Sequence, residues 1–300
     1  MLVATNIGTA AAQTSRILVV TGTPGDAEHA QKFGGWAKTF IDAAKTKDAV
    51  PDANIVYLAD KQATKAAIEK TLGDFATASR PTDTVIVLLI GHGSFDGSVA
   101  AFNVMGPDPT PADFAKLLGN FRSKVVFIDT SSSSGAFLPA VTAPGRIVVT
   151  ATKTGGERNE TEFGQYFTAA FGDEAADRDR NGHVSIQEAF DYAKTKVADA
   201  FKQKGLILTE HAVLDDGAEG RIASSAYLGI GRADAALAAD LSDPAMKALV
   251  DERADIQRQI EALQLQKASM DAAKYDAAME TLLTDLAVKT KAIRDRQAKK

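Results

Sequence analysis

The chain has 300 residues, 45% of them hydrophobic and 24% charged, the balance of a globular protein rather than of a disordered one. Its 34 basic and 39 acidic side chains leave a net charge of −5, so there is no basic excess to neutralise a nucleic-acid backbone, and nucleic acid is not an expected partner. Cysteine is absent, which excludes disulfides, thiolate metal sites and a cysteine nucleophile.

Residues 1–15, MLVATNIGTAAAQTS, lack the basic start of a signal peptide, yet Ala10, Ala11 and Ala12 ahead of Gln13 resemble the small-residue end of one. The segment reads either as a flexible tail or as a signal remnant. The second reading would place the protein in a periplasm or outside the cell, the first in the cytoplasm. No run approaches the ~20 apolar residues of a membrane-spanning helix, so no transmembrane segment is expected.

From Arg16 short β-branched runs alternate with helical stretches, the pattern of an α/β fold with a mostly parallel sheet and helices on both faces. RILVVTG (16–22) is the first strand. The segment 26–47 places Phe33, Trp36, Ala37, Phe40, Ile41 and Ala44 at spacings of three and four, a helix with one buried stripe, on which His29 is expected to face solvent. NIVYLAD (54–60) and the segment 62–79 are the next strand and helix. DTVIVLLIGHG (83–93) is the most continuously apolar strand, hence central, and it ends on His92. A Gly-, Asp- and Pro-rich loop with room for a short hairpin leads to Thr110-Pro111, an N-cap with proline at the first helical position. KVVFIDT (124–130) runs straight into Ser131–Ser134, and RIVVTAT (146–152) and a helix over 161–171 follow.

The α/β domain spans 16–240 and gives way to a different segment, 241–300, read as a helical hairpin or coiled-coil arm. Leu249, Ile256, Ile260, Leu263, Met270, Tyr275, Met279, Leu282, Leu286 and Ile293 fall on helical spacing, with a break near 269–272. Such a hairpin either caps the domain or serves partner binding or self-association.

DRDRNGHVSIQE (177–188) matches a twelve-residue EF-hand calcium loop. Asp177, Asp179 and Asn181 supply oxygens at positions one, three and five, and Gly182 makes the turn at six. His183 offers its carbonyl, Ser185 sits at nine, and Glu188 takes the bidentate twelfth place, between helices expected over 161–171 and from 186 onward. Ser185 and Glu188 also form a capping box that starts the second helix without metal. Calcium is the expected cofactor.

His92, flanked by glycines at one strand end, and Ser131–Ser134 at the end of the next point into one crevice, because ligands of open α/β sheets gather outside the carboxyl ends of strands. A serine hydroxyl within reach of the imidazole would be a nucleophile with its base. Asp96 and Asp129 are the nearest third groups along the chain. His211, beside Glu210 and ahead of Asp215 and Asp216, offers a second metal or catalytic cluster.

VIVLLIGHGSFDG followed by VVFIDTSSSSGAF resembles the caspase-like and legumain-like cysteine peptidases, in which one apolar strand ends in His-Gly and the next in an acidic residue, a small residue, the catalytic Cys, a variable residue and Ser-Gly. The resemblance covers 16–205 and includes RIVVTATKTGGERNETEFGQYF, similar to the strand and loop that line the specificity pocket. It implies a caspase-like three-layer sandwich, with Gly93 beside the oxyanion and Arg158, Asn159 and Glu160 in the pocket wall. The nucleophile departs from the pattern: counting back from Ser134-Gly135 puts Ser132 in the cysteine's place, and counting forward from Asp129-Thr130 puts Ser131 there. Serine lacks the ready ionisation of a thiol. The expectation is a peptidase homologue that has lost proteolysis and binds a peptide or protein partner. The alternatives are an active hydrolase with a Ser-His dyad, or a calcium-dependent scaffold acting through the C-terminal hairpin.

Overall fold

A computed structural model describes residues 14–229, 243–266 and 270–297, so the first thirteen residues of the tail or signal remnant expected over 1–15 lie outside the described residues, while Ser15 already belongs to the first strand. The strands are β1 (Ser15–Thr21), β2 (Ile55–Leu58), β3 (Thr84–Ile90), β4 (Gly93–Phe95), β5 (Ala100–Phe102), β6 (Lys124–Asp129), β7 (Ile147–Thr150) and β8 (Val213–Asp215). Six of them form one sheet in the order β2-β1-β3-β6-β7-β8, parallel except where β8 runs against β7. β4 and β5 make a separate antiparallel hairpin in the loop after β3.

Strand periodicity divides the core. Ile17 and Val19 of β1, Ile86 and Leu88 of β3, and Val126 and Ile128 of β6 face one layer, where they meet Phe33, Ala37 and Phe40 of α1 (Ala27–Thr46), Phe163 and Phe167 of α5 (Phe163–Ala170), and Ala193 and Val197 of α6 (Ile186–Gln203). Their alternates, Leu18, Val87 and Phe127, face the other layer, against Ile68 and Leu72 of α2 (Lys65–Ala78), Phe114 of α3 (Pro111–Leu118) and Val141 of α4 (Leu138–Val141). Every residue of β3 is buried, as a strand covered by helices on both faces must be. The expected α/β class is therefore the one the chain adopts.

The edge strand β8 was not among the expected strands. Three residues carry too little pattern to declare a strand, and VLD is extended because its backbone completes the open edge of β7. At the other end of the chain, α7 (Pro244–Gln266) and α8 (Ala272–Gln297) lie antiparallel. Met246 packs on Ile293, and Ile256 and Ile260 pack on Leu286. Arg296 donates to both oxygens of Asp243, at 2.7 and 3.0 Å.

Candidate functional site

The parallel pairing of β3 with β6 sets two chain segments side by side at the carboxyl end of the sheet. Leu89 lies opposite Asp129, and beyond them Thr130 donates to the Leu89 carbonyl from both its backbone N–H, at 3.0 Å, and its hydroxyl, at 2.8 Å. This brings Gly91–His92–Gly93 against Ser131–Ser132. The approach is close: a Cβ on Gly93 would meet the Ser132 carbonyl oxygen at 2.0 Å and the Ser131 hydroxyl at 2.8 Å. Only glycine fits there.

His92 is held by the loop before α1 and by α1 itself. Its Nε2 lies 3.1 Å from the Pro24 carbonyl oxygen; a carbonyl only accepts, so Nε2 carries the proton and Nδ1 of the neutral ring is the acceptor. His29 and Phe33 of α1 present their rings to it at 4.9 and 5.1 Å between centroids, edge-on at 62° and 70°. His29, expected to face solvent, does so only in part, its side chain 24% exposed. Its Nδ1 bonds Asp26 at 2.8 Å and its Nε2 stands 3.3 Å from Glu160. The Asp26 hydrogen bond, with a smaller contribution from Glu160, raises the His29 pKa. The signal for this contact was the α1 start itself, since Asp26 is the N-cap and also accepts from the His29 backbone N–H.

Both serines engage other partners. Ser131 donates its hydroxyl to Asp129 Oδ1 at 2.6 Å, and its backbone N–H donates to the same oxygen at 2.9 Å. Ser132 donates its hydroxyl to the Gly93 carbonyl at 3.1 Å and accepts from the Gly93 N–H at 3.2 Å. The two are 0% and 6% exposed. Among the described residues neither hydroxyl is hydrogen-bonded to His92. Ser133 then takes a left-handed φ of 60°, uncommon outside glycine, and this bend turns Ser134 toward the Thr152 hydroxyl, 3.2 Å away.

Asp129 is entirely buried, and the loss of hydration pushes its carboxyl up to about 6 against the opposing pull of Ser131. Its Oδ2 has no hydrogen-bond partner. Neither Asp129 nor Asp96 is bonded to His92, because Asp96 accepts from the Ser98 and Val99 N–H groups in its own turn, each at 2.8 Å.

The loop over 153–160, expected to form a pocket wall, is tied down on three sides. Arg158 stacks over Phe95 of the β4–β5 hairpin at 5.8 Å, and Gly155 lies against the same ring. The Asn159 side chain donates to the Thr209 hydroxyl at 3.2 Å, and Glu160 pairs with Lys32 as well as His29. Glu160 thus links this loop to α1 near His92, while Arg158 and Asn159 reach in other directions.

In the loop 177–188, Asp177, Asp179 and Glu188 bring carboxylate oxygens within 4.8 Å of one another, the only such group among the described residues. Gly182 takes a φ of +93°, as the sharp turn at position six requires. Burial and the Glu188 charge push Asp179 up to about 7. An all-oxygen donor set of this kind suits a hard divalent cation. The other expected donors are turned inward: Asn181 Oδ1 accepts from the His183 N–H at 2.8 Å, and Ser185 makes the capping box with Glu188. The entering helix, α5, ends at Ala170, ahead of a turn rather than at the loop. The His183 ring points away, toward Asp48 and Tyr227.

The residues around His211 do not converge. His211 bonds Glu157 at 2.9 Å, Glu210 accepts from the Glu162 and Phe163 N–H groups at the start of α5, and Asp216 accepts from four N–H groups of its own loop.

No family model and no curated protein matches the chain. Among solved structures it is similar to protein GSU0716 from Geobacter sulfurreducens, with 14% identity over 67% of this chain and 92% of that one and a TM-score of 0.45. It is similar also to drICE, a caspase, with 10% identity over 67% and 87% of the two chains and a TM-score of 0.43.

Proposed function

We propose that the chain is a caspase-like peptidase homologue that binds a peptide or protein segment at the carboxyl ends of β3 and β6 without cleaving it. The observation that carries this reading is the reciprocal bond between Ser132 and Gly93. It occupies the serine hydroxyl as a donor and, in the same contact, the Gly93 N–H that the family resemblance sets beside an oxyanion. With Ser131 committed to Asp129, neither candidate nucleophile has its base, and one donor that would stabilise a tetrahedral intermediate is already satisfied. Support for the crevice itself comes from the two motifs lying on adjacent strands and from the wall that Glu160 ties to α1 beside His92.

Calcium is part of the proposal. Asp177, Asp179 and Glu188 would hold it, and it would neutralise three carboxylates that otherwise repel; the Asn181 and Ser185 oxygens would join only on leaving the His183 N–H and Glu188, their partners here, and the His183 carbonyl would complete the set. Its role here is to stabilise the approach to α6.

A second reading, an active Ser-His hydrolase, is favoured by the His92 tautomer, which leaves Nδ1 free to accept a proton. The two readings part in one experiment. The purified protein, His92→Ala, Ser131→Cys and Ser132→Cys are each incubated with a diverse peptide library in calcium and in chelator, and products are read by mass spectrometry. The proposal expects no cleavage by the unmodified protein and cleavage by one cysteine variant. Cleavage by the unmodified protein that vanishes with His92→Ala establishes the hydrolase instead.

A further inference from the structure

A cavity of about 490 Å³ opens between α6, β8 and the chain that joins them, within the size range of small-molecule sites. Pro24, His29 and Phe33, which hold His92, do not line it. Its interior is apolar: Phe163 is fully buried and Phe190 is 7% exposed, with Val197, Leu208 and Leu214 beside them. On the chain leading to Leu208 of the lining, Leu206 and Ile207 are 59% and 87% exposed.

The charges at this cavity are uneven. Lys153 and Lys194 both line it, and neither forms an ion pair among the described residues. The Lys194 ammonium lies 5.8 Å from the centre of the Phe190 ring, so the cation sits over the apolar wall. Glu210, the one carboxylate in the lining, has each oxygen taken by a backbone N–H at 2.8 Å, from Glu162 and Phe163. His211, also in the lining, is engaged with Glu157, so what remains for a ligand is an apolar interior with two ammonium groups at its edge that form no ion pair among the described residues.

The geometry points to a binding site for a medium-chain alkyl carboxylate, the hydrocarbon packed on Phe163 and Phe190 and the carboxylate set on Lys153 and Lys194. A neutral amphiphile would satisfy the walls and leave the cations unpaired. A cationic one would meet like charge.

Isothermal titration calorimetry of the full chain with decanoate tests the assignment. The expected result is saturable binding at one site, with decanol weaker by about tenfold or more, since a charge-assisted contact is worth about that factor. Lys194→Gln should weaken decanoate by about the same factor and leave decanol unchanged. Ala198→Trp places a ring into the cavity from an exposed position of α6, and should abolish binding with the melting temperature unaltered. No saturable heat with decanoate overturns the site. Equal affinity for decanol overturns the role of the lysines, and full binding by Ala198→Trp places the ligand elsewhere.

Discussion

Replacing Asp129 by asparagine should change how the stability of this protein depends on pH. The Asp129 carboxyl is buried completely at the end of β6, one oxygen accepting from Ser131 and the other unpartnered. Burial raises its pKa from 3.8 to about 6, so the neutral acid is the form the fold prefers. A carboxyl raised on folding contributes stability that is fully present below its unfolded pKa and is lost as pH rises through the folded value. The displacement is about two units at about 1.4 kcal/mol each, so about 3 kcal/mol should disappear between pH 4 and pH 7. Asparagine cannot ionise, and its Oδ1 can still accept from Ser131. Urea unfolding of both proteins across this range should show the variant gaining on its parent by about 3 kcal/mol from the acid end to the neutral end. Glu210, raised to about 7, titrates alike in both proteins and cancels in the comparison. Parallel curves for parent and variant would refute the assignment of a buried, proton-holding Asp129.

Three other outcomes follow from the same contacts. Gly93→Ala should cost about 3 kcal/mol or more in urea unfolding, because the added methyl meets the Ser132 carbonyl at 2.0 Å and must break the paired bonds to Ser132. Calcium should raise the melting temperature relative to chelator, by about 2.7 kcal/mol of stability at a hundredfold excess over Kd, and Glu188→Gln should remove most of that difference in a thermal scan. Leu286→Asp, which sets a charge at a 5% exposed position between α7 and α8, should lower the helical circular dichroism by the contribution of the hairpin and leave the near-ultraviolet signal of Trp36 in place.

Much of the sheet was legible because it rests on local pattern. β3 reads as central since TVIVLLI has no polar face, and α3 starts where Thr110 and Pro111 say it should, with Asp113 closing the capping box. The adjacency of His92 to the serines could be anticipated from strand order. The roles of the individual serines could not. Counting along the chain left Ser131 and Ser132 as alternatives, and their partners depend on a left-handed bend at Ser133 and on how closely Gly93 approaches, neither of which has a periodic signature. His29 was misplaced for a related reason. Helical spacing puts it one turn before Phe33, on the side of α1 that carries the apolar stripe, but its partners are Glu160, 131 residues away along the chain, and the ring of His92, which that spacing does not reveal. In the loop 177–188 the carboxylates were readable by position, as was the end of α5 within a residue, whereas the turn of Asn181 Oδ1 toward the His183 N–H follows from a local hydrogen bond that competes for the same oxygen.

The central claim is that Ser131 and Ser132 are structural groups and not an activated nucleophile. Treatment of the native protein with a fluorophosphonate, followed by intact-mass and peptide mapping, tests it most directly, since this reagent marks serines that a base has activated. The account predicts no adduct on either serine in calcium or in chelator, with the denatured protein as the control. A stoichiometric adduct at Ser131 or Ser132 that disappears in His92→Ala would contradict it.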